Sequence, residues 1–158
     1  LGLPTLVLVR EPRSAATSLL ALAVQQEQLH MLSADEAIYC MEATLLRYAR
    51  FHERIQDLSG IVIAGFDEVI TDFGKVIERV NARFGTEFIP FEHNDENSRT
   101  IMQRTRKHLS PNAERDEVKA RLVAAYDADA LRRARSRAET AFELMMARRD
   151  TQLAQDAS

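Results

Sequence analysis

The sequence predicts an α/β protein in which a small parallel sheet of few strands is joined to predominantly helical structure and a helical C-terminal extension. Three observations predict it. The apolar runs at residues 5–9 and 61–66 do not alternate polar with apolar side chains, which is the pattern of strands covered on both faces. Helical periodicity fills the stretch between them, and strands separated by helices pair in parallel. After residue 70 the periodicity is almost wholly helical.

The elements follow in order. Thr5-Leu-Val-Leu-Val9 is rich in β-branched residues. Arg10-Glu-Pro-Arg13 ends that strand, because Pro12 cannot continue a central strand but suits the first turn of a helix. A helix is expected from Arg13 to about residue 30, with Leu19, Leu20, Leu22 and Ala23 on its apolar side. Ser33-Ala-Asp-Glu36 is a capping box. It opens a helix expected to run to about residue 58, with Ile38, Met41, Leu45, Tyr48 and Ile55 at helical spacing and Ser59-Gly60 as its stop. Residues 61–66 form the second strand. Thr71 or Asp72 is expected to cap the next helix, where Phe73, Val76, Ile77, Val80 and Phe84 mark one face. Gly85 stands at the position after a helix that favours positive φ.

A short extended piece is expected at 86–91, then a polar helix at 94–109. Ser110-Pro-Asn112 reads as a stop and restart before helices at 113–126 and 129–149. In the last of these Leu131, Ala134, Ala138, Ala141 and Met145 step by three and four, the spacing of a helix-pairing seam. The expected division is an α/β portion over 1–109, a helical hairpin over 110–150 packed on it, and a disordered tail over 151–158.

Composition narrows the possibilities. The chain has 158 residues, 46% apolar and 28% charged, which suits a packed core under a solvated surface. A net charge of −3 gives no general attraction to nucleic acid or anionic lipid, so any anion site must be local. The single cysteine, Cys40, allows no disulfide within the chain, fits a reducing, cytoplasmic setting and is expected to pack as a small apolar residue. The apolar run at residues 1–9 is too short to span a bilayer and lacks the features of a signal peptide. No membrane segment is expected. The chain opens almost directly on a strand without Met, and two strands are few for such a sheet. Further sequence is expected to precede it.

The chemistry centres on the first strand-helix junction. Ligands of parallel α/β sheets bind beyond the carboxyl ends of the strands, where Arg10 stands. The following helix directs N–H groups and the positive end of its dipole to the same place. Arg13 lies in that turn, and Ser14 and Ser18, four apart, share a helix face. On the residues alone two readings stand. One is a phosphate receptor, since Arg binds phosphate through paired hydrogen bonds. The other is a structural strand-end arginine beside serines bonded to their own helix.

Val7-Leu-Val-Arg-Glu-Pro-Arg-Ser-Ala-Ala-Thr-Ser18 resembles the second signature of the cytosolic-type and bacterial sulfotransferases. That signature is an apolar strand, an Arg, a Pro- and base-containing turn, and a Ser eight residues after the Arg. In the family this Arg and Ser hold the 3′-phosphate of 3′-phosphoadenosine 5′-phosphosulfate (PAPS), and Arg10 and Ser18 match both positions. The resemblance makes Arg13 and Ser14 secondary contacts. Residues 46–54, 61–68, 70–85 and 93–97 also look like the segments that follow in sulfotransferase-like bacterial proteins. The likeness covers about residues 5–105.

The resemblance implies the C-terminal portion of a P-loop-like, PAPS-dependent transferase that moves a sulfuryl group to a hydroxyl or amine of a small-molecule or glycan acceptor. Parts of the family pattern are missing. None of Gly2, Gly60, Gly65, Gly74 and Gly85 forms a Gly-rich loop with Lys. No upstream His is present to act as base, and no Gly-rich nucleotide loop follows residue 109. No catalytic residue is therefore assigned. The chain alone is expected to hold part of the donor without turnover, and the full-length protein to be an enzyme. Two other classes stay open: another P-loop-like nucleotide enzyme such as a small kinase, and an inert helical interaction module.

The remaining candidates read as structural. His30, His52, His93 and His108 lack metal-ligand spacing and are expected at the surface or at caps, and no metal is assigned. Asp67 and Glu68 are expected to cap a helix or form salt bridges. Arg132, Arg133, Arg135 and Arg137 lie among acidic residues with no interleaved aromatics, so a solvated face is expected rather than a nucleic-acid surface. Met145-Met146 is expected to pack. The C-terminal helices are the expected route to any homo-oligomer.

Overall fold

The computed structural model describes residues 3–26, 32–104 and 113–156. The elements are β1 (Leu6–Val9), α1 (Pro12–Gln25), α2 (Ala34–Ile55), β2 (Val62–Gly65), α3 (Phe66–Phe84), α4 (Asp95–Arg104), α5 (Ala113–Tyr126), a 3₁₀ turn (Asp129–Leu131) and α6 (Arg132–Asp156). The class is α/β, mostly helical, with a parallel pair of strands. Expected features at residues 27–31 and 105–112, His30 and His108 among them, lie outside the described residues.

The chain forms two interleaved compact units: Leu1–Arg10 with Ile55–Thr105 and Glu143–Ser158, and Glu11–Arg54 with Arg106–Phe142. This differs from the division expected from sequence. Helix α1 and nearly all of α2 belong with α5 and the first part of α6, because their apolar faces share one core.

In the helical unit that core contains Ala16, Leu20 and Ala21 of α1, then Ala37, Met41, Leu45 and Ala49 of α2. Val118, Leu122, Ala125 and Tyr126 of α5 join them, with Leu131, Ala134, Ala138 and Ala141 beyond. The many alanines let helices approach closely. Met41, Leu45, Leu122 and Leu131 fill the space between, each contributing about 1.5–3 kcal/mol by burial. The capping box forms as expected. Ser33 N–H donates to Glu36 Oε2 at 2.8 Å, and Glu36 N–H to Ser33 Oγ at 3.3 Å. Helix α2 ends at Ile55, three residues short of expectation.

In the sheet unit β1 and β2 pair with Leu6 against Val62 and Val9 against Gly65. All of β2 is buried, as its unbroken apolar run implies. The β1 run misleads, because Val7 and Val9 are buried while Leu8 is 46% exposed. Covering on both faces therefore holds for β2 and fails for β1. Val62 N–H donates to Thr5 C=O at 2.9 Å. By strand alternation the backbone groups of Val7 and Val9 also face β2, and those of Leu6 and Leu8 face away.

The outer edge of β2 is closed by side chains. Ile63 N–H donates to Gln152 Oε1 at 3.0 Å, and Gln152 Nε2 donates to Ile61 C=O at 3.0 Å. Arg79 Nη2 donates to Ile63 C=O at 2.6 Å, and Gly65 N–H to Glu68 Oε2 at 2.6 Å. These bonds also explain two departures from expectation. Glu68 stands three residues beyond Gly65 and fixes a helical turn, so residues 66–68 open α3 and the strand ends at Gly65. Gln152 ties the end of the chain to β2, so residues 151–156 continue α6 instead of fraying.

The expected start at Thr71 or Asp72 survives as a break inside α3. Asp72 takes φ −153° and ψ 73°, and its Oδ1 accepts Lys75 N–H at 3.2 Å, restarting the helix. Gly74 meets Phe91 there: a Cβ at this position would lie 2.5 Å from Phe91 C=O. Gly85 ends α3 with φ 64°, as its position predicts. Residues 86–91 form no strand.

Candidate functional site

The carboxyl ends of the paired strands bring together residues that directly follow each apolar run. Val9 pairs with Gly65, so the next residue on each strand, Arg10 and Phe66, come side by side. The Arg10 guanidinium lies 4.2 Å from the Phe66 ring centroid, a cation–π contact that holds the long side chain over the strand ends. Phe66 was overlooked in the sequence reading. Its signal is available there: it is the first residue after the second strand, as Arg10 is after the first.

Beside them is a half-buried ion cluster. Glu68 Oε1 accepts from Arg79 Nη1 at 3.1 Å, and Glu68 Oε2 from Arg149 Nε at 2.8 Å. Arg149 also meets Asp150 at 2.9 Å, and Arg79 Nε lies 3.9 Å from Asp156. Burial pushes the Glu68 carboxyl up, but the Arg149 and Gly65 hydrogen bonds and the nearby guanidinium charges outweigh it and leave it below the ordinary glutamate range. Arg149 is raised, chiefly by its hydrogen bond to Glu68. Glu68 thus has the salt-bridging role expected of it, and its charge is set against that of two arginines.

The other residues singled out in the sequence, Arg13, Ser14 and Ser18, lie on α1 in the helical unit, since the boundary between the units falls between Arg10 and Glu11. Part of the anion-binding potential expected at the start of α1 is already used within that unit. Glu11 caps the helix, its carboxylate accepting Arg13 N–H at 2.9 Å and Ser14 N–H at 2.7 Å. Arg13 pairs with Asp127 at 2.5 Å and lies 5.6 Å from the Tyr126 ring centroid. Thr17 Oγ1 donates to Arg13 C=O at 2.7 Å, and Ser18 is half-buried. An anion at this helix terminus therefore meets a resident carboxylate.

The other candidates fall into place within their own units. Arg135 donates to Tyr126 C=O at 2.7 Å, and Arg137 holds Glu53 through two bonds of 2.6 Å. These are packing and pairing roles on a solvated helix. His52 corrects the expectation of a surface histidine, being only 5% exposed. Its Nδ1 is 2.9 Å from Tyr48 C=O, and its buried Nε2 has no hydrogen-bond partner among the described residues. Burial holds its pKa below the ordinary histidine value. His93 stacks edge-on to Phe91 at 5.7 Å. Cys40 is half-buried at the margin of the helical core rather than within it, and Met145 is fully buried.

Among the described residues no group of His, Cys, Asp and Glu could hold a metal ion, and no helix is long and apolar enough to cross a membrane. No protein-family model, curated protein or solved structure matches the chain.

Proposed function

We propose that this chain contributes to the nucleotide-donor site of a PAPS-dependent, P-loop-like sulfotransferase, with Arg10 and Ser18 as ligands of the donor's 3′-phosphate. The observation that carries the reading is Arg10 at the carboxyl end of a parallel strand, steadied by Phe66. That is where parallel α/β sheets bind their ligands. Stacking uses the faces of a guanidinium, while paired binding of phosphate uses its in-plane N–H groups, so the two are compatible. The eight-residue step from Arg10 to Ser18 is the step in the sulfotransferase signature. Arg13 and Ser14 are secondary contacts in this reading, with Asp127 and Glu11 as the local competitors for their donors.

Sulfuryl transfer moves a spread negative charge, which cationic groups and a base must surround. Arg10 supplies a charge for positioning the donor. The acceptor, a hydroxyl or amine of a small molecule or glycan, is met by other parts of the whole protein.

Calorimetric titration with adenosine 3′,5′-bisphosphate tests the reading. Saturable binding is expected, weakened about 10–100-fold by Arg10→Ala, the loss of a charge-assisted bond worth about 1.5–3 kcal/mol. Ser18→Ala should cost about 0.5–1.5 kcal/mol. Unchanged affinity in Arg10→Ala would remove the site. Preference for ATP over the bisphosphate would move the protein to the kinase-like class.

A further inference from the structure

The amino end of β2 carries a small cavity that the donor site has no use for. Its volume is about 210 Å³ and it touches Ile61 and Val62, whereas Arg10 stands at the carboxyl end of the paired strands. Pockets for drug-sized ligands run to about 300–1,000 Å³, so this one suits a compact group. Ser59 comes from the turn before β2, Arg83 from the last turn of α3, and Arg148, Gln155 and Asp156 from α6.

The lining is cationic. Arg83 Nη2 donates to Ser59 C=O at 3.0 Å. Arg148 donates to Ile55 C=O at 3.2 Å and to the carbonyls of Gln56 and Leu58. Neighbouring carbonyls of one turn thus hold both guanidiniums against the same cavity. Carbonyls satisfy N–H donors but cancel no charge. Arg79 and Arg149 of the same unit have Glu68 as a counter-ion. Among the described residues no carboxylate stands at salt-bridge distance from Arg83 or Arg148. The acid in the lining, Asp156, lies 3.9 Å from Arg79 Nε. Two arginines against one aspartate leave the lining with a net positive charge.

We propose that this cavity is an oxyanion site that takes a phosphate or sulfate group, carried as a free ion or on an ester. Guanidiniums bind such groups through paired, charge-assisted hydrogen bonds. The Ser59 hydroxyl and the Gln155 carboxamide are neutral donors of the lining, while the Thr151 hydroxyl is already given to Ala147 C=O at 3.0 Å. A bound anion joins the turn before β2, the end of α3 and the end of α6, so it reinforces the clasp that Arg148 and Gln152 make on the sheet. Lying at the opposite end of β2 from Arg10, the site stands or falls independently of the donor-site reading.

The unmodified chain is titrated with inorganic phosphate, sulfate and O-phosphoserine by calorimetry and amide chemical shifts. Sodium chloride holds the ionic strength fixed, so that screening is constant. Saturable binding is expected, with shifts centred on residues 59–62, 83 and 148–156. Tighter binding of the ester identifies a group carried on a larger molecule, and tighter binding of the inorganic ions a free anion. Arg83→Gln should weaken binding about 10–100-fold. Gln155→Glu, which sets a carboxylate beside the arginines, should also weaken it, and Asp156→Asn should tighten it. A response to phosphate and sulfate that never saturates is general salt exclusion and overturns the proposal. So does binding that Arg83→Gln leaves unchanged, or shifts centred on residues 10–18, which would place the anion at the donor site. Should Arg83→Gln fail to fold, the opposite effects of the two exposed-site variants, Gln155→Glu and Asp156→Asn, decide.

Discussion

Gln152 makes a sharp test of how the sheet is held. Its carboxamide takes the place of a neighbouring strand, accepting from Ile63 N–H and donating to Ile61 C=O. Both residues are buried, Ile63 at 0% and Ile61 at 3% exposure. Gln152→Ala strands one donor and one acceptor together. An unmet buried polar group costs about 1–3 kcal/mol, so the pair should cost about 2–4 kcal/mol after relaxation. A cavity of about 210 Å³ lined by Ser59, Ile61, Val62 and Gln152 adjoins the site, and water admitted there would favour the lower end. For a chain of this size the melting temperature should fall roughly 5–15 °C. Gln152→Glu separates the two bonds, because the carboxylate can still accept from Ile63 but turns an oxygen toward Ile61 C=O. It should recover little of the loss. The assays are thermal unfolding by circular dichroism and hydrogen exchange at the Ile63 amide, which should speed up in both variants. A Gln152→Ala protein that melts within about 1 °C of the parent, with Ile63 still protected, would refute the edge-closing role.

Two further outcomes follow from the packing. Gly74→Ala should destabilise by about 1–3 kcal/mol, because the added methyl meets the Phe91 carbonyl and backbone must move; denaturant unfolding checks it, and an unchanged midpoint would mean that residues 90–93 shift freely. His52 has a folded pKa below its unfolded value, since burial penalises the charged ring. The unfolded chain then binds more protons in the window just below about pH 6.5, so stability should be complete above that pH and fall as pH drops through it, whereas His52→Leu should lose that part of the slope. Urea midpoints measured from pH 7.5 to 5 report the difference, and parallel profiles for the two proteins would contradict the assignment.

Much of the architecture was legible in residue order because its cause is local. The Ser33-Glu36 box, the face of α3 marked by Val76 and Val80, Gly85 and the alanine seam of α6 each depend on neighbours within a turn or two. What the sequence concealed depends on partners far along the chain. Residues 151–156 look like a polar tail until Gln152 finds the edge of β2, some ninety residues away. His52 is a different case, a polar letter near the end of α2 whose 5% exposure is not encoded by its neighbours Tyr48 and Phe51, although both rings touch it. The exposure of Leu8 depends on which face of β1 is covered, which five apolar letters in a row do not encode. In the candidate site, Arg10 was found from its place at a strand end, while the Phe66 platform required the register of the two strands. Glu11 as the cap of α1 is not evident from its residue type, because Ser, Thr, Asp and Asn are the usual caps and Glu is not.

The last turns of α6 also bear on how the protein is made. Arg148 donates to the carbonyls of Ile55, Gln56 and Leu58, Arg149 neutralises Glu68 and Gln152 closes β2, all from within five residues. A nascent chain emerging from the ribosome therefore exposes β2 and the end of α2 well before their clasp is synthesised. During that interval the bare strand is open to mispairing, and the sheet unit can complete its fold only after residues 148–152 have been made.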